Sequence, residues 1–128
     1  MKILGIGVDI IENRRIRNSI KNNKFIKRIY SNKELKLSTL TTNKAIFFSK
    51  RFAAKEAFAK ALGTGFRDNL NFKDIEIMND KLGKPYYAKT KKITQIIKKE
   101  FKVKNFNCFL SISDEKDYST AFAIIEKS

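Results

Sequence analysis

Two acidic side chains occupy apolar stretches of the sequence, where carboxylates are unexpected. Asp9 interrupts the run ILGIGVDII, residues 3–11, and Glu56 lies within RFAAKEAFAKAL, residues 51–62. A carboxylate taken out of water costs several kcal/mol unless a partner compensates it. Mg²⁺ typically binds one or two carboxylates and completes its octahedron with water and substrate phosphate oxygens. If the two carboxylates converge, they predict a site for a hard cation and a phosphorylated ligand.

Both carboxylates also have ordinary structural explanations, and the spacing leaves these open. Asp9 would cap the following helix or pair with a lysine at the end of its strand. Glu56 precedes Lys60 by four residues on a predicted helix, a spacing typical of surface salt bridges worth a few tenths of a kcal/mol. The sequence contains no histidine, which excludes zinc-type sites and histidine-based acid–base catalysis.

The chain is strongly basic, and its charge is unevenly distributed. It holds 28 Lys and Arg against 13 Asp and Glu, a net charge of +15. From Asn13 to Tyr30 there are seven basic residues and no acidic one. Such a surface attracts nucleic acid, an anionic membrane, phosphorylated ligands or an acidic protein. The net charge alone does not choose among these partners.

The sequence favours a cytoplasmic protein without a membrane span. No apolar run approaches the roughly 20 residues that a spanning helix needs. Two glycines and Asp9 interrupt the N-terminal run, so it does not resemble a signal peptide. The single cysteine, Cys108, forms no internal disulfide, which agrees with a reducing compartment. Its apolar neighbours in CFLSI predict a buried thiol.

The pattern of apolar residues predicts an α+β fold, with an antiparallel sheet packed on a long central helix. The length fits one domain, residues 1–128. The continuous apolar run of residues 3–11 predicts a strand that is buried on both faces. The long helix is expected from about Asn43 to Leu62, and Gly63 supplies the left-handed residue that ends it.

Shorter elements are predicted on either side of this helix. Ile16 and Ile20 mark one helix, residues 25–29 a second, and Ser31 with Glu34 gives the capping box of a third. DIEIMND and YYAKT predict a hairpin around KLGKP, and TKKITQIIKKEF has its isoleucines on one helical face. NCFLSISD and YSTAFAIIE predict two final strands.

Two motifs resemble those of a known enzyme family. GIGVDIIENRRI, residues 5–16, followed by RFAAKEAFAKALGTG, residues 51–65, resembles the holo-acyl-carrier-protein synthases, the short single-domain 4′-phosphopantetheinyl transferases. The resemblance continues through DIEI, GKPY and SISDEKDYSTAFAIIE and so covers nearly the whole chain in the right order. Either motif alone would be a weak signal, but the pair at this separation is specific.

The resemblance implies an activity, a fold and an assembly. The enzyme would move the phosphopantetheine arm of coenzyme A to a serine of apo acyl carrier protein and release adenosine 3′,5′-bisphosphate, in support of fatty acid biosynthesis. It would have the α+β fold of the phosphopantetheinyl transferases. It would form a homotrimer with coenzyme A in the cleft between protomers. Neither nucleic acid nor a membrane would be a partner.

The resemblance also implies roles for particular residues. Asp9 and Glu56 would bind Mg²⁺, and Lys60 would contact phosphate beside them; these three are the expected catalytic residues. Because a helix C-terminus carries partial negative charge, phosphates are expected at basic side chains or at loop N–H groups beyond Gly63. The expected coenzyme A contacts are Arg51, Lys55, Lys60, Gly63, Thr64, Gly65, Gly83, Lys84, Pro85 and Asp114.

Asp114 departs from the family pattern, because some relatives have a histidine after the corresponding strand. The role that this histidine has in those relatives is therefore not assigned unchanged to Asp114. Arg15 matches the arginine of the first motif and would face the acidic carrier protein. The neighbouring basic residues would steer the same encounter; they are Arg14, Arg17, Lys21, Lys24 and Arg28.

Two other functions compete with a transferase. A nucleic-acid-binding module would fit the net charge of +15, but it would need exposed aromatic residues interleaved with basic ones on a sheet, or a recognisable binding motif. Most phenylalanines instead lie at helix-core spacing. A basic scaffold protein would fit the charge as well, but it would leave Asp9 without a role.

Overall fold

A computed structural model describes residues 2–67 and 69–128 of the chain, and it confirms the predicted α+β class. Strands and helices do not alternate regularly along the sequence, and the longest helix lies in its middle. In chain order the elements are β1 (Lys2–Glu12), α1 (Asn13–Ser19), α2 (Asn23–Ile29), α3 (Asn32–Ser38), α4 (Lys44–Leu62), a short 3₁₀ turn (Phe72–Asp74), β2 (Ile77–Asn79), β3 (Pro85–Tyr87), α5 (Lys91–Phe101), β4 (Phe106–Asp114) and β5 (Tyr118–Lys127).

The main sheet is antiparallel and has the strand order β1–β5–β4. The register pairs Asp9 with Ala121 and Val8 with Phe122, so Asp9 lies near the end of β1 that leads into α1. β2 and β3 form a separate hairpin. Helix α4 packs across the sheet, and 13 of its 19 residues are buried. This arrangement confirms the predicted sheet on a long central helix.

Two glycines let β1 lie directly against the backbone of α4. A Cβ atom added to Gly7 would stand 1.9 Å from the carbonyl oxygen of Ala57, and one added to Gly5 would stand 1.8 Å from that of Ala61. No side chain fits in such a gap, so the strand and the helix touch backbone to backbone. Since side chains alternate along a strand, Asp9 shares the helix-facing side with Gly5 and Gly7.

The other face of β1 corrects the prediction of a strand buried on both faces. Ile6, Val8 and Ile10 are 59%, 54% and 65% exposed. They form an apolar surface with Phe109 and Phe122 of the neighbouring strands, which we call the outer sheet face. The prediction failed because an apolar strand pattern reports which residues avoid water and does not identify what covers them.

Local signals at the helix ends are confirmed. Asn43 caps α4 by accepting a hydrogen bond from the N–H of Ile46 at 3.1 Å, and Gly63 ends the helix with a φ of 82°. Ser31 and Glu34 form both hydrogen bonds of the expected capping box at the start of α3. The turn between β2 and β3 uses Gly83, whose φ is 88°.

Cys108 lies half-buried on β4, so the predicted burial of its thiol is only partly met. Burial raises the pKa of its thiol to about 11. The thiol is therefore protonated at neutral pH, which leaves little of the reactive thiolate. Separately, within the described parts of the chain, no helix combines the length and the apolar character that crossing a membrane would require.

Candidate functional site

Strand β1 and helix α4 bring Asp9 and Lys60 together. The Lys60 ammonium lies 3.2 Å from Asp9 Oδ1 and donates a second hydrogen bond to the backbone oxygen of Val8 at 3.0 Å. Asp9 therefore has the lysine partner that its structural explanation required. The ion pairs of the described residues do not include the predicted salt bridge between Glu56 and Lys60.

Glu56 shares this site with Asp9, one helical turn before Lys60. Partial burial raises the pKa of Glu56, and the charge of Asp9 raises it further. The charges of Lys60 and Arg15 act in the opposite direction without cancelling the rise. The two carboxylates are thus close enough to repel each other, and a cation between them would relieve that repulsion.

The available donor set suits a hard cation. Two carboxylates are the oxygen ligands that Mg²⁺ prefers, and Mg²⁺ leaves its other positions to water and phosphate oxygens. Among the residues that the structure describes, no cluster of three or more His, Cys, Asp or Glu could hold a metal on its own. A metal at this site would take its other ligands from water or from a substrate, which suits a substrate that contains a diphosphate.

An open cavity of about 920 Å³ adjoins Glu56. One part of its lining is aromatic, with Phe52 of α4 next to Phe66 and Phe72 of the segment that follows the helix. Those rings stack in series, with centroids 5.4 Å apart for Phe52 and Phe72 and 3.9 Å apart for Phe66 and Phe72. The rim is basic and includes Arg15 and Arg28. The sequence analysis did not identify this aromatic wall.

The predicted carrier-binding residues lie on the exposed surface of α1 and α2. The Arg15 guanidinium stands 6.0 Å from the centroid of the Phe52 ring at the cavity. Arg14 points away and pairs with Glu12 at 3.1 Å. The remaining members are exposed on the same two helices and the turn between them; they are Arg17, Lys21, Lys24 and Arg28.

Asn13 fixes the start of α1. Its side chain is fully buried, donates to the backbone oxygens of Glu115 and Lys116, and accepts from the Ser119 hydroxyl at 2.7 Å. Its backbone N–H donates to the Asp117 oxygen at 2.8 Å. The helix that carries Arg15 is thereby tied to the turn between β4 and β5.

The Gly63–Gly65 segment follows Lys60 at the end of α4. Gly65 also has a positive φ, 66°, and its N–H reaches back to the Ala59 oxygen at 3.3 Å. The Thr64 hydroxyl donates to the Gly65 oxygen at 3.3 Å. Both glycines have open space where a Cβ would stand, so their backbone is accessible to a ligand.

A second group of predicted coenzyme contacts lies elsewhere on α4. Arg51 donates to Asn79 Oδ1 at 2.7 Å, and Asn79 donates to the backbone oxygen of Gly83. Arg51 is therefore held to the hairpin that carries Gly83, Lys84 and Pro85. Arg51 itself is buried, with 4% of its surface exposed, so the accessible members of this group are on the hairpin. Arg51 and Glu56 are about 140° apart around the helix axis, so one chain carries the two groups on different sides.

Asp114 and Lys55 occupy two further positions. Asp114 ends β4 and pairs with Lys50 at 3.5 Å. Lys55 is fully buried, and its ammonium donates to Glu34 and to the backbone oxygens of Phe72 and Ile75. This position gives Lys55 a structural role and does not support its expected contact with coenzyme A, because all three of its protons are engaged within the core.

Comparisons with known proteins agree on one family. Residues 5–123 match the family model of the 4′-phosphopantetheinyl transferase superfamily. The chain is 65% identical over 127 residues to the holo-[acyl-carrier-protein] synthase of Pelagibacter ubique, covering 99% of each chain. It also resembles the crystal structure of the Neisseria meningitidis synthase, with a TM-score of 0.85, 39% identity and coverage of 98% and 99%. The Bacillus anthracis synthase, solved in complex with CoA (3′,5′-ADP), gives a TM-score of 0.82 at 35% identity, with 100% of both chains covered.

Proposed function

The chain belongs to the holo-acyl-carrier-protein synthases of the 4′-phosphopantetheinyl transferase superfamily, and from this membership we propose how its residues carry out the reaction. It transfers phosphopantetheine from coenzyme A to apo acyl carrier protein. We further propose that the transfer depends on Mg²⁺ held by Asp9 and Glu56 and serves fatty acid biosynthesis in the cytoplasm. Membership of an enzyme family favours this function over the nucleic-acid-binding and scaffold alternatives.

The observation that carries the metal proposal is the proximity of the two carboxylates: the charge of Asp9 raises the pKa of Glu56, and Glu56 lines an open cavity. When bound, Mg²⁺ would neutralise charge on the diphosphate of coenzyme A and on the departing nucleotide. Lys60 is more than half exposed, so its ammonium is free to move from Asp9 to an incoming phosphate. It thereby adds a positive charge where the substrate is most negative.

The nucleophile comes from the partner. The serine oxygen of the carrier attacks the phosphorus next to the pantetheine arm, and the bond from that phosphorus to the departing adenosine 3′,5′-bisphosphate breaks. The serine proton needs an acceptor, and we assign this role to Glu56 acting through a water molecule. A carboxylate that holds a water molecule within hydrogen-bond reach of the hydroxyl can accept its proton through that water.

The basic surface of α1 and α2 would receive the acidic carrier. Charge on the rim of an interface steers association and fixes the orientation of the partners. Arg15 lies beside Phe52 of the cavity wall, and its positive charge acts to lower the pKa of Glu56. We propose that a bound carrier presents its serine to the reacting phosphate beside Arg15.

Replacing Arg15 with alanine is expected to raise the KM for the carrier about five-fold and to leave the KM for coenzyme A unchanged, because one rim charge is lost. Steady-state kinetics with each substrate varied in turn measures both constants. Lys104→Ala is the matched control, since it removes the same charge near the opposite end of β5. An equal rise in both KM values would contradict the role assigned to Arg15.

We also propose that the enzyme works as a homotrimer. The outer sheet face exposes Ile6, Val8, Ile10, Phe109 and Phe122, and apolar surfaces of this kind usually mark interfaces. A site shared between protomers would also bring Asp9, Glu56 and Lys60 of one chain next to the hairpin that Arg51 contacts in the neighbouring chain. Sedimentation is expected to give the mass of three chains, and a mass of one chain would contradict the assembly.

The test of the function is transfer itself. The chain is incubated with coenzyme A, Mg²⁺ and an apo carrier protein, and the carrier is weighed by intact-mass spectrometry. We expect a gain of one phosphopantetheine, which excess EDTA abolishes and added Mg²⁺ restores. A carrier with alanine in place of the acceptor serine controls for non-covalent binding. No mass gain with a carrier that a relative modifies would overturn the proposal.

A further inference from the structure

Helices α3 and α4 enclose an ion pair that the reaction described above does not use. Glu34 and Lys55 are both fully buried, and Lys55 Nζ lies 2.7 Å from Glu34 Oε1. Glu34 also accepts hydrogen bonds from the backbone N–H groups of Ser31 and Ile77. Arg51 adds a longer contact, with 3.8 Å between its Nε and Glu34 Oε2. Every polar atom of the Glu34–Lys55 pair is therefore engaged.

The pair holds the segment that forms the aromatic wall of the cavity. Lys55 donates to the backbone oxygens of Phe72 and Ile75, and Glu34 accepts from Ile77 a few residues further on. The Phe72 ring stacks between Phe52 of α4 and Phe66. Lys55, the residue next to Glu56, thus holds the backbone of the wall segment through these hydrogen bonds.

We propose that Glu34 and Lys55 are positioning residues: their buried ion pair sets the Phe72 part of the aromatic wall at a fixed distance from Glu56, where we expect the carrier to dock. The inference rests on the proposed function, because the cavity must receive a substrate for the position of its wall to matter. It assigns the pair no contact with either substrate.

Stability alone does not explain the pair. Two buried charges lose their hydration, and replacing such a pair with apolar residues of similar volume is often neutral or stabilising. Apolar residues would fill the same space, but they would leave the carbonyl groups of Phe72 and Ile75 without a donor and the N–H groups of Ser31 and Ile77 without an acceptor. What the ion pair adds specifically is the placement of that backbone. A displacement of about 1 Å in groups that position a substrate can lower kcat/KM by about one to two orders of magnitude.

The test is the double variant Glu34→Leu with Lys55→Met, which removes both charges together. We expect it to fold, with far-UV circular dichroism like that of the parent chain. Its KM for the carrier is expected to rise at least about ten-fold, while kcat changes less than about three-fold. A variant that was merely less stable would lose active molecules, so its apparent kcat would fall and its KM would stay. That outcome would overturn the proposal.

The control is Tyr87→Phe, which deletes the buried hydroxyl that donates to the Ala54 oxygen of α4 and leaves every hydrogen bond of Glu34 and Lys55 in place. It is expected to lower stability and leave both KM values unchanged. A KM shift in this variant equal to that of the double variant would contradict a specific role of the wall.

Native-state hydrogen exchange tests the proposal without any activity and without a variant. The amide protons of Ile75 and Ile77 are expected to exchange at least about 100-fold more slowly than those of residues 64–67, because the ion pair holds this segment closed. Rapid exchange at Ile75 and Ile77 in the parent chain would overturn the proposal. Absence of transfer by the parent chain would instead count against the proposed function, so the two failures are distinguishable.

Discussion

Glu56→Gln is expected to lower the rate of phosphopantetheine transfer at least about 1000-fold while the chain remains folded. Glutamine keeps the shape of the side chain but removes the charge that the metal proposal requires and the base that we assign to the serine proton. The rate is measured by intact mass of the carrier at saturating coenzyme A. A variant that retains more than about a tenth of the parent rate would contradict both roles.

The same substitution separates catalysis from stability. The pKa of Glu56 is raised in the folded chain, so its ionised form is disfavoured there. Its ionisation therefore lowers stability as the pH rises through the interval between the unfolded and the folded pKa, and this loss persists at neutral pH. Without added metal, Glu56→Gln is expected to unfold at the same temperature as the parent chain or higher at pH 7, and at the same temperature at pH values below both pKa values. A clear fall in Tm at pH 7 would show that Glu56 has a structural role.

Gly7→Ala is expected to reduce the free energy of unfolding by about 4 kcal/mol or more, which is in the range reserved for severe core disruption. The new methyl group would stand 1.9 Å from the Ala57 oxygen and 2.7 Å from the Ala61 nitrogen. Neither atom belongs to a flexible side chain, so β1 and α4 would have to separate. Urea unfolding followed by circular dichroism measures the loss.

Gly83→Ala is the matched control for this prediction. Gly83 has a positive φ of 88°, but no atom lies within 4 Å of the place where its Cβ would be. The cost is then the backbone strain alone, about 1–2 kcal/mol. Equal losses of stability in the two variants would show that the close approach of β1 to α4 is not what Gly7 preserves.

Asp9 and Glu56 could be identified from the sequence as candidate site residues because each carboxylate contradicts its local surroundings. Their convergence could not, because it depends on the distance between β1 and α4. The glycines at positions 5 and 7 were a usable signal. Small residues at every second position, followed by Asp9 at the same spacing, indicate a strand face that lies against another backbone.

The structural role of Lys55 could not be predicted from the sequence for a different reason. A lysine beside a candidate catalytic residue resembles a phosphate contact, and local spacing cannot distinguish a buried lysine from an exposed one. Its partner Glu34 was correctly predicted as part of a capping box. The other contacts of Glu34 lie 21 and 43 residues away, and only tertiary packing brings those segments together.

The hydrogen bonds of Asn13 strengthen the link between the start of α1 and the turn between β4 and β5. Helix α1 cannot tilt toward or away from a docked carrier without pulling on residues 115–117, and the same turn is the continuation of the strand that ends at Asp114. A substitution that shifts this turn is therefore expected to shift the start of α1 and the Arg15 side chain that α1 carries. Sequence drift in this turn would consequently alter affinity for carriers that it never touches.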